Sequence, residues 1–321
     1  MTGSMFDAAH LELWAIFWGI VVALLFLDLA VFNKRAHKIT LKEAAVWSVV
    51  WIFLSLLFNG GVWWLLGDEP ALQFLTGYVV EKSLSVDNLF VFLVVFRFFG
   101  VDSKYQHRVL YWGVLGAIIL RTIMILAGAV LVARFQWVLY IFGAILVISG
   151  LKLLIRKDAE VNAGNNLAVK ICRKLFPMTE EFHGQSFFVR EEGRLLATPM
   201  LLVLVTVEFT DVLFAVDSIP AVFGITQDPF IILTSNIFAI MGLRALYFLL
   251  AGIIDRFHYL QTGLAAVLTF IGVKMLVAEW IHIPTLTSLS IVALTLGLSV
   301  VLSLAFPKKE EPGDSAPTPA S

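Results

Sequence analysis

Two stretches of an otherwise apolar chain carry chemistry. The first, "EKSLSVDNLFVF", starts at Glu81 and holds Glu81 and Asp87, with Asn88 beside the second acid. The second, "VEFTDVLFAVDSIPAV", holds Glu208, Asp211 and Asp217, with Ser218 beside the last acid. An ionisable group at the centre of a bilayer costs about 2.5–3.5 kcal/mol on insertion scales, so five such acids need a reason. A purely structural network would pair each acid with a base. Here only Lys82 is adjacent, and Arg121 and Arg244 lie in the apolar runs that follow each motif. The excess of acid must be neutralised by protons or by a bound cation. Carboxylate, amide and hydroxyl oxygens suit Mg²⁺, Ca²⁺ and Mn²⁺. No His lies near the motifs, and Cys172 is the only cysteine, which leaves soft-metal sites and intrachain disulfides without their residues.

Helical geometry limits how these acids can act. Glu81 and Asn88 are seven positions apart and share a helix face, whereas Asp87 points about 100° away. Asp211, Asp217 and Ser218 repeat that relation. A straight helix therefore cannot aim both acids of a motif at one small ion. Either the helix is interrupted, as Pro220 suggests for the second motif, or each acid meets partners from the other motif. Arg121 and Arg244 are expected to pair with the carboxylates and hold the site together. Asn236 offers either an amide oxygen to the site or an interhelical hydrogen bond. Lys152 and Lys274 read as snorkelling to headgroups, and Asp28 as interfacial.

The elements that position these groups follow from composition. Of the 321 residues, 60% are hydrophobic and 15% charged, against about 25% charge in soluble domains; the mean hydropathy is +0.90. The balance excludes a nucleic-acid-binding surface and implies a chain that is all α-helical within lipid. Runs long enough to span lie near 13–32, 44–66, 71–98, 108–132, 135–155, 197–223, 229–253, 260–280 and 285–306. Residues 1–12 hold no Lys or Arg, so the first run reads as a retained span rather than a cleaved signal. Seventeen of the 23 Lys and Arg fall on one set of alternating connections, and only Arg134 on the other. The bias predicts nine spans, the amino terminus outside and the carboxyl terminus cytoplasmic.

The chain also resembles itself. "EKSLSVDNLFVF" lies over "DVLFAVDSIPAV", "AIILRTIMILAG" over "AIMGLRALYFLLAG", and "SGLKLL" over "IGVKML". Rare charges thus recur in one order: acids, then Arg121 or Arg244, then Lys152 or Lys274. Each copy has three spans, so the second inserts upside down, an arrangement that places transporter sites near the midplane. The expected parts are two amino-terminal helices (1–66), a first repeat (67–155), a cytoplasmic loop (156–196) with a hairpin-like turn at Glu192–Gly193, a second repeat (197–282), a last helix (283–306) and a disordered tail (307–321).

"GYVVEKSLSVDNLFVF", "VEFTDVLFAVDSIPAVF" and "TSNIFAIMGLRALYFLLAG" resemble the signatures of the TerC family of integral membrane proteins, nearest its Alx-type branch of manganese exporters. The resemblance implies a LysE-like core of two inverted three-helix repeats and export of Mn²⁺ from the cytosol across the bacterial inner membrane. It also implies that Glu81, Asp87, Glu208, Asp211 and Asp217 are required. The expected site is therefore a metal site of these five acids with Asn88 and Ser218, Asp87 and Asp217 coordinating and the others completing the site or carrying protons. Mn²⁺ is cargo rather than cofactor, the bilayer is the solvent, and protons are the candidate coupling ion. The rivals are a proton-linked carrier of another cation such as Ca²⁺, a scaffold for metal or tellurite resistance, and an intramembrane protease, whose Gly-x-Gly-Asp signature is missing.

Overall fold

Polar residues set the helix starts. Thr40 Oγ1 accepts from the Glu43 amide (3.3 Å), Asp102 Oδ1 from Lys104 (3.2 Å) and Asp228 Oδ1 from Phe230 (2.8 Å), each satisfying a backbone donor that the first turn leaves open. Asp68 and Glu69 in the first turn of one helix and Arg97 in its last complement its dipole. The computed structural model describes residues 8–32, 40–155, 169–251 apart from 171, 173, 175, 180 and 192, and 259–306. Expectations for the tail 307–321, for 156–168 and for Lys34, Arg35, Lys38 and Arg256 lie outside the described residues.

The helices are α1 (Ala8–Phe32), α2 (Leu41–Leu66), α3 (Asp68–Phe98), α4 (Ser103–Arg134) and α5 (Val138–Ile155), then α6 (Pro199–Phe223), α7 (Pro229–Met241), α8 (Leu243–Leu250), α9 (Leu260–Leu276) and α10 (Thr285–Ala305). Strands β1 (Phe188–Glu191) and β2 (Arg194–Ala197) form an antiparallel hairpin with Glu191 opposite Arg194. Gly193 takes φ +81° at its tip, as the Glu-Gly turn signal implied.

Among the described residues every apolar run is helical, with one departure. Run 229–253 is two helices bent by 42° at Gly242. A Cβ there would lie 2.6 Å from Lys82 Nζ and 3.1 Å from Trp51 Cβ, so the glycine admits both neighbours, and Lys82 donates to the Ala239 carbonyl (3.1 Å) near the end of α7. Conversely, the interruption expected at Pro220 does not occur: α6 passes through it to Phe223. The missing N–H deprives only one carbonyl of its helical bond, and the helix ends within a turn.

Among the described residues, α2, α4, α6 and α10 are each long and apolar enough to cross a bilayer, and the bent pair α7–α8 makes a fifth. Large apolar side chains face outward, including Trp64 at 84% exposure and Leu294 at 73%, as a lipid-facing surface requires. Inside, α3 packs on α7, α4 on α6, and α3 on α6; α5 and α9 form the most extensive pair. Phe17, Phe58, Phe74, Phe230 and Phe238 join α1, α2, α3 and α7 through ring contacts.

Glycine brings α5 and α9 together. Gly143 faces Gly272, and Gly150 faces Ala265, so the two helices run antiparallel with backbones in contact. A Cβ on Gly272 would sit 2.7 Å from the Gly143 carbonyl and 2.9 Å from Leu146 Cβ. Gly272→Ala is therefore expected to cost about 1–3 kcal/mol by overpacking. Gly60→Ala in α2, where nothing lies within 4 Å of the added Cβ, should gain about 0.5–1 kcal/mol. Unfolding of the two variants in one detergent should move in opposite directions.

Candidate functional site: a buried guanidinium between two acidic motifs

Close approach of α3 and α7 starts the site. A Cβ on Gly77 would lie 2.8 Å from Ser235 Oγ, so these helices touch one turn before Glu81. Glu81 is fully buried and has a partner for each oxygen. Oε2 accepts from Asn236 Nδ2 on α7 (2.9 Å), and Oε1 accepts from Arg121 Nη1 on α4. Arg121, also fully buried, reaches across to α6. Its Nε and Nη2 donate to Asp211 Oδ2 (3.1 Å) and Oδ1 (2.9 Å), the two-pronged geometry that guanidinium and carboxylate favour. Nη1 also donates to Asn236 Oδ1 (3.2 Å) and Ser218 Oγ (3.4 Å). One positive charge thus joins an acid from each motif, and four helices meet on it.

The other expected ligands are elsewhere. Asp217 is only partly buried and accepts from Ser149 Oγ on α5 (2.7 Å). In an uninterrupted helix, Asp211 and Ser218 share the face toward Arg121, and Asp217 faces α5 instead. Asp87 lies in α3, but its side chain is outside the described residues. Asn88 is buried on that helix, and its Nδ2 has no hydrogen-bond partner. Glu208 packs its carboxylate over Gly116 of α4 and leaves Oε2 buried without a partner. It lines a cavity of about 20 Å³ with Asp211, Arg244, Phe92 and Leu110, room for about one water. Among the described residues, no three His, Cys, Asp or Glu converge as a ready metal cage. Among the described side chains, Glu81 and Asp211 meet with Arg121 between them, and Glu208 lies on the adjoining cavity.

Arg244 has a partner outside both motifs: its Nη2 contacts Asp28 Oδ1 of α1. Asp28 is 8% exposed and Arg244 5%, so Asp28 is a buried ion-pair partner rather than interfacial. Lys82, adjacent to Glu81 in sequence, turns instead to the Ala239 carbonyl. Asp28 stood out as an acid in an apolar run, but nothing in the sequence pointed to Arg244 as its partner; Asn236 was legible as an amide in an apolar run.

Chemically, the centre is a cation site of oxygen donors filled by the chain's own guanidinium. Two carboxylates and one guanidinium leave a formal excess of one negative charge. Removing Arg121 would strand two buried acids. Arg121→Gln is expected to destabilise the protein by about 3–5 kcal/mol, the cost of breaking a buried pair from one side. Adding Glu81→Gln to that variant should recover part of the loss, because one stranded charge is gone. Denaturant unfolding in detergent measures both.

The geometry can be set beside known proteins. The family model described as "Integral membrane protein TerC family" matches residues 66–311. A membrane protein of Myxococcus xanthus is 51% identical over 292 residues, covering 91% of this chain and 92% of its own length. A relative from Escherichia coli strain K12, provisionally named a membrane-bound redox modulator, Alx, is 52% identical over 289 residues, covering 87% and 90%. A membrane protein of Rickettsia bellii is 40% identical over 291 residues, covering 91% and 96%. No solved structure matches the chain. The match spans both acidic motifs and every helix that meets at Arg121: the chain belongs to the TerC family of integral membrane proteins.

Proposed function

We propose that this protein is a secondary transporter that exports divalent cations, Mn²⁺ foremost, from the cytosol. The observation that carries the reading is Arg121, a cation wholly buried between Glu81 and Asp211 with Asn236 and Ser218 oxygens beside it. A site that stabilises a buried positive charge with carboxylate, amide and hydroxyl oxygens has the donors a hard divalent ion takes. For a metal to enter, Arg121 must withdraw. The guanidinium is thus the resting occupant and the ion its competitor, which keeps the empty carrier from holding two unpaired acids. Glu208, with an unpartnered oxygen on the adjoining cavity, is placed to complete the charge balance or to take a proton.

The reading includes nine spans, an external amino terminus and a cytoplasmic carboxyl terminus in the bacterial inner membrane. It also takes 67–155 and 197–282 as inverted repeats. The helix contacts support the repeat: α3 packs on α7 as α4 packs on α6, and the third helices, α5 and α9, pack on each other antiparallel. Rocking of one repeat against the other would expose the site alternately, with protons as the coupling ion. The chain is read as a carrier, not an enzyme. The redox role in the relatives' name finds little here: Cys172 is the sequence's single cysteine, packs with Val169 and Leu202, and has its thiol pushed up by burial, the opposite of a reactive thiolate.

Cells lacking the protein should accumulate Mn²⁺ under Mn²⁺ load, and the purified protein in liposomes should move Mn²⁺. Glu81→Gln or Asp211→Asn should each cut that flux by at least about tenfold, as the loss of roughly 1.5–3 kcal/mol of charged ligation implies. Asp217→Asn should reduce it less. Full flux in Glu81→Gln and Asp211→Asn would remove the site; liposomes that pass no ion would favour a scaffold. A carboxyl-terminal reporter that is active only outside the cytosol should stay silent.

A further inference from the structure

Two departures from the likeness of the similar segments meet at one point. Between Ala117 and Arg121 the first segment has three residues; between Ala239 and Arg244 the second has four, and the addition is Gly242. α4 runs unbroken through its stretch, whereas the second segment bends by 42° at Gly242 and becomes α7 and α8. The other departure is Lys82. Where Glu81 lies over Asp211, the counterpart of Lys82 is Val212. Valine thus sits on α6, which packs on the unbroken helix, and lysine on α3, which packs on the broken one.

The lysine and the break are in contact. Lys82 Nζ donates to Ala239 O (3.1 Å) and stands 2.6 Å from where a Cβ on Gly242 would be. Trp51 of α2 approaches the same position to 3.1 Å, and the Tyr78 ring lies 6.0 Å from Nζ, within reach of its charge. Ser48, one turn from Trp51 on α2, holds a buried Oγ without a hydrogen-bond partner. A break opens the carbonyls of the turn before it, and that end of a helix carries partial negative charge. In carriers with broken helices, such ends hold the coupling Na⁺. Here an ammonium lies against one.

We propose that Lys82 is a tethered stand-in for an alkali cation at the end of α7, so that the carrier works without Na⁺ or K⁺, and that the place it fills binds a small monovalent cation once the side chain is cut back. The inference rests on the transport reading above and adds to it which ions take no part in coupling. A free ion at this place would cross the membrane in each cycle and add its own gradient to the work. The charge of Lys82 stays with α3. Lys82 also fixes the last turn of α7, three residues after Asn236, whose amide contacts Glu81 and Arg121. Consecutive residues of α3 therefore grip α7, Glu81 through Asn236 (2.9 Å) and Lys82 through Ala239 (3.1 Å). Lys82 acts on the site through that grip, as a positioning residue.

The test reads thermal unfolding in detergent and Mn²⁺ flux in liposomes, each in choline chloride and with NaCl, KCl or methylammonium chloride at equal ionic strength. Wild type should behave alike in all four. Lys82→Ala in choline should unfold several degrees lower and carry Mn²⁺ at least about tenfold more slowly, the scale of one charge-assisted hydrogen bond. At least one of Na⁺, K⁺ and methylammonium should restore both, with saturation. Lys82→Met fills the same space without charge; it should be impaired like Lys82→Ala and respond to no added cation. If Lys82→Ala cannot be isolated in choline, its recovery in one of the other salts is the same readout, and failure in all of them counts against the inference. A wild type that needs Na⁺ or K⁺, a Lys82→Ala that equals wild type in choline, a loss that no cation restores, or equal restoration of Lys82→Met would each overturn it and leave Lys82 a plain clamp on α7. Absence of Mn²⁺ flux in the wild type would remove the transport reading, while the unfolding readout would still decide whether the end of α7 takes a cation.

Discussion

Arg121 carries a full charge where no water reaches, and only carboxylates within hydrogen-bond distance can offset its desolvation. Its fork geometry needs acceptors in one plane, and Asp211 supplies them while Glu81 closes the remaining edge. Those acceptors come from α3 and α6, and Asn236 of α7 fills the gap between guanidinium and Glu81. The relative placement of four helices is therefore tied to one side chain. Apolar packing around it is non-directional and would tolerate a range of helix rotations; the ion-pair cluster would not.

On the proposed reading, the same charge explains how a cation carrier would exist empty. Two acids with no counter-ion in a low-dielectric interior would repel each other and take up protons or water. A tethered guanidinium satisfies them at a fixed distance and, on that reading, would yield to an ion of higher charge. The remaining negative excess, with Glu208 beside it, keeps the cavity attractive to cations. In this picture selectivity comes from the difference between ligating an ion and re-forming the Arg121 contacts, not from a rigid cage.

Small residues set how near the helices come. Gly77 lets α3 meet α7, Gly116 receives the Glu208 carboxylate, and Gly143, Gly150 and Gly272 bring α5 onto α9. Gly242 lets Trp51 and Lys82 approach the bend between α7 and α8. In lipid, where apolar side chains gain little by leaving their surroundings, close backbone contact and polar pairing supply much of the association. These glycines and the arginine cluster are two halves of one arrangement.

The helices and the identity of the charged motifs were legible in the sequence, because spanning length and the rarity of charge in apolar runs are one-dimensional properties. The seven-residue relation of Asp211 to Ser218 was legible too, but the expectation that Asp217 coordinates an ion did not make use of it. Asn236 stood out as a polar group in an apolar helix. Which acid faces which base was not legible, since Lys82, adjacent to Glu81 in the chain, points to the Ala239 carbonyl while Arg121, forty residues away, takes the carboxylate. Asp28 belongs to no motif, and its pairing with Arg244 exists only because α1 folds against α8. The bend at Gly242 rather than Pro220 was likewise decided by packing: Trp51 and Lys82 needed the space of a missing Cβ. Local pattern determines where the chain is helical and where it is charged; partner choice depends on distances that only the folded bundle sets.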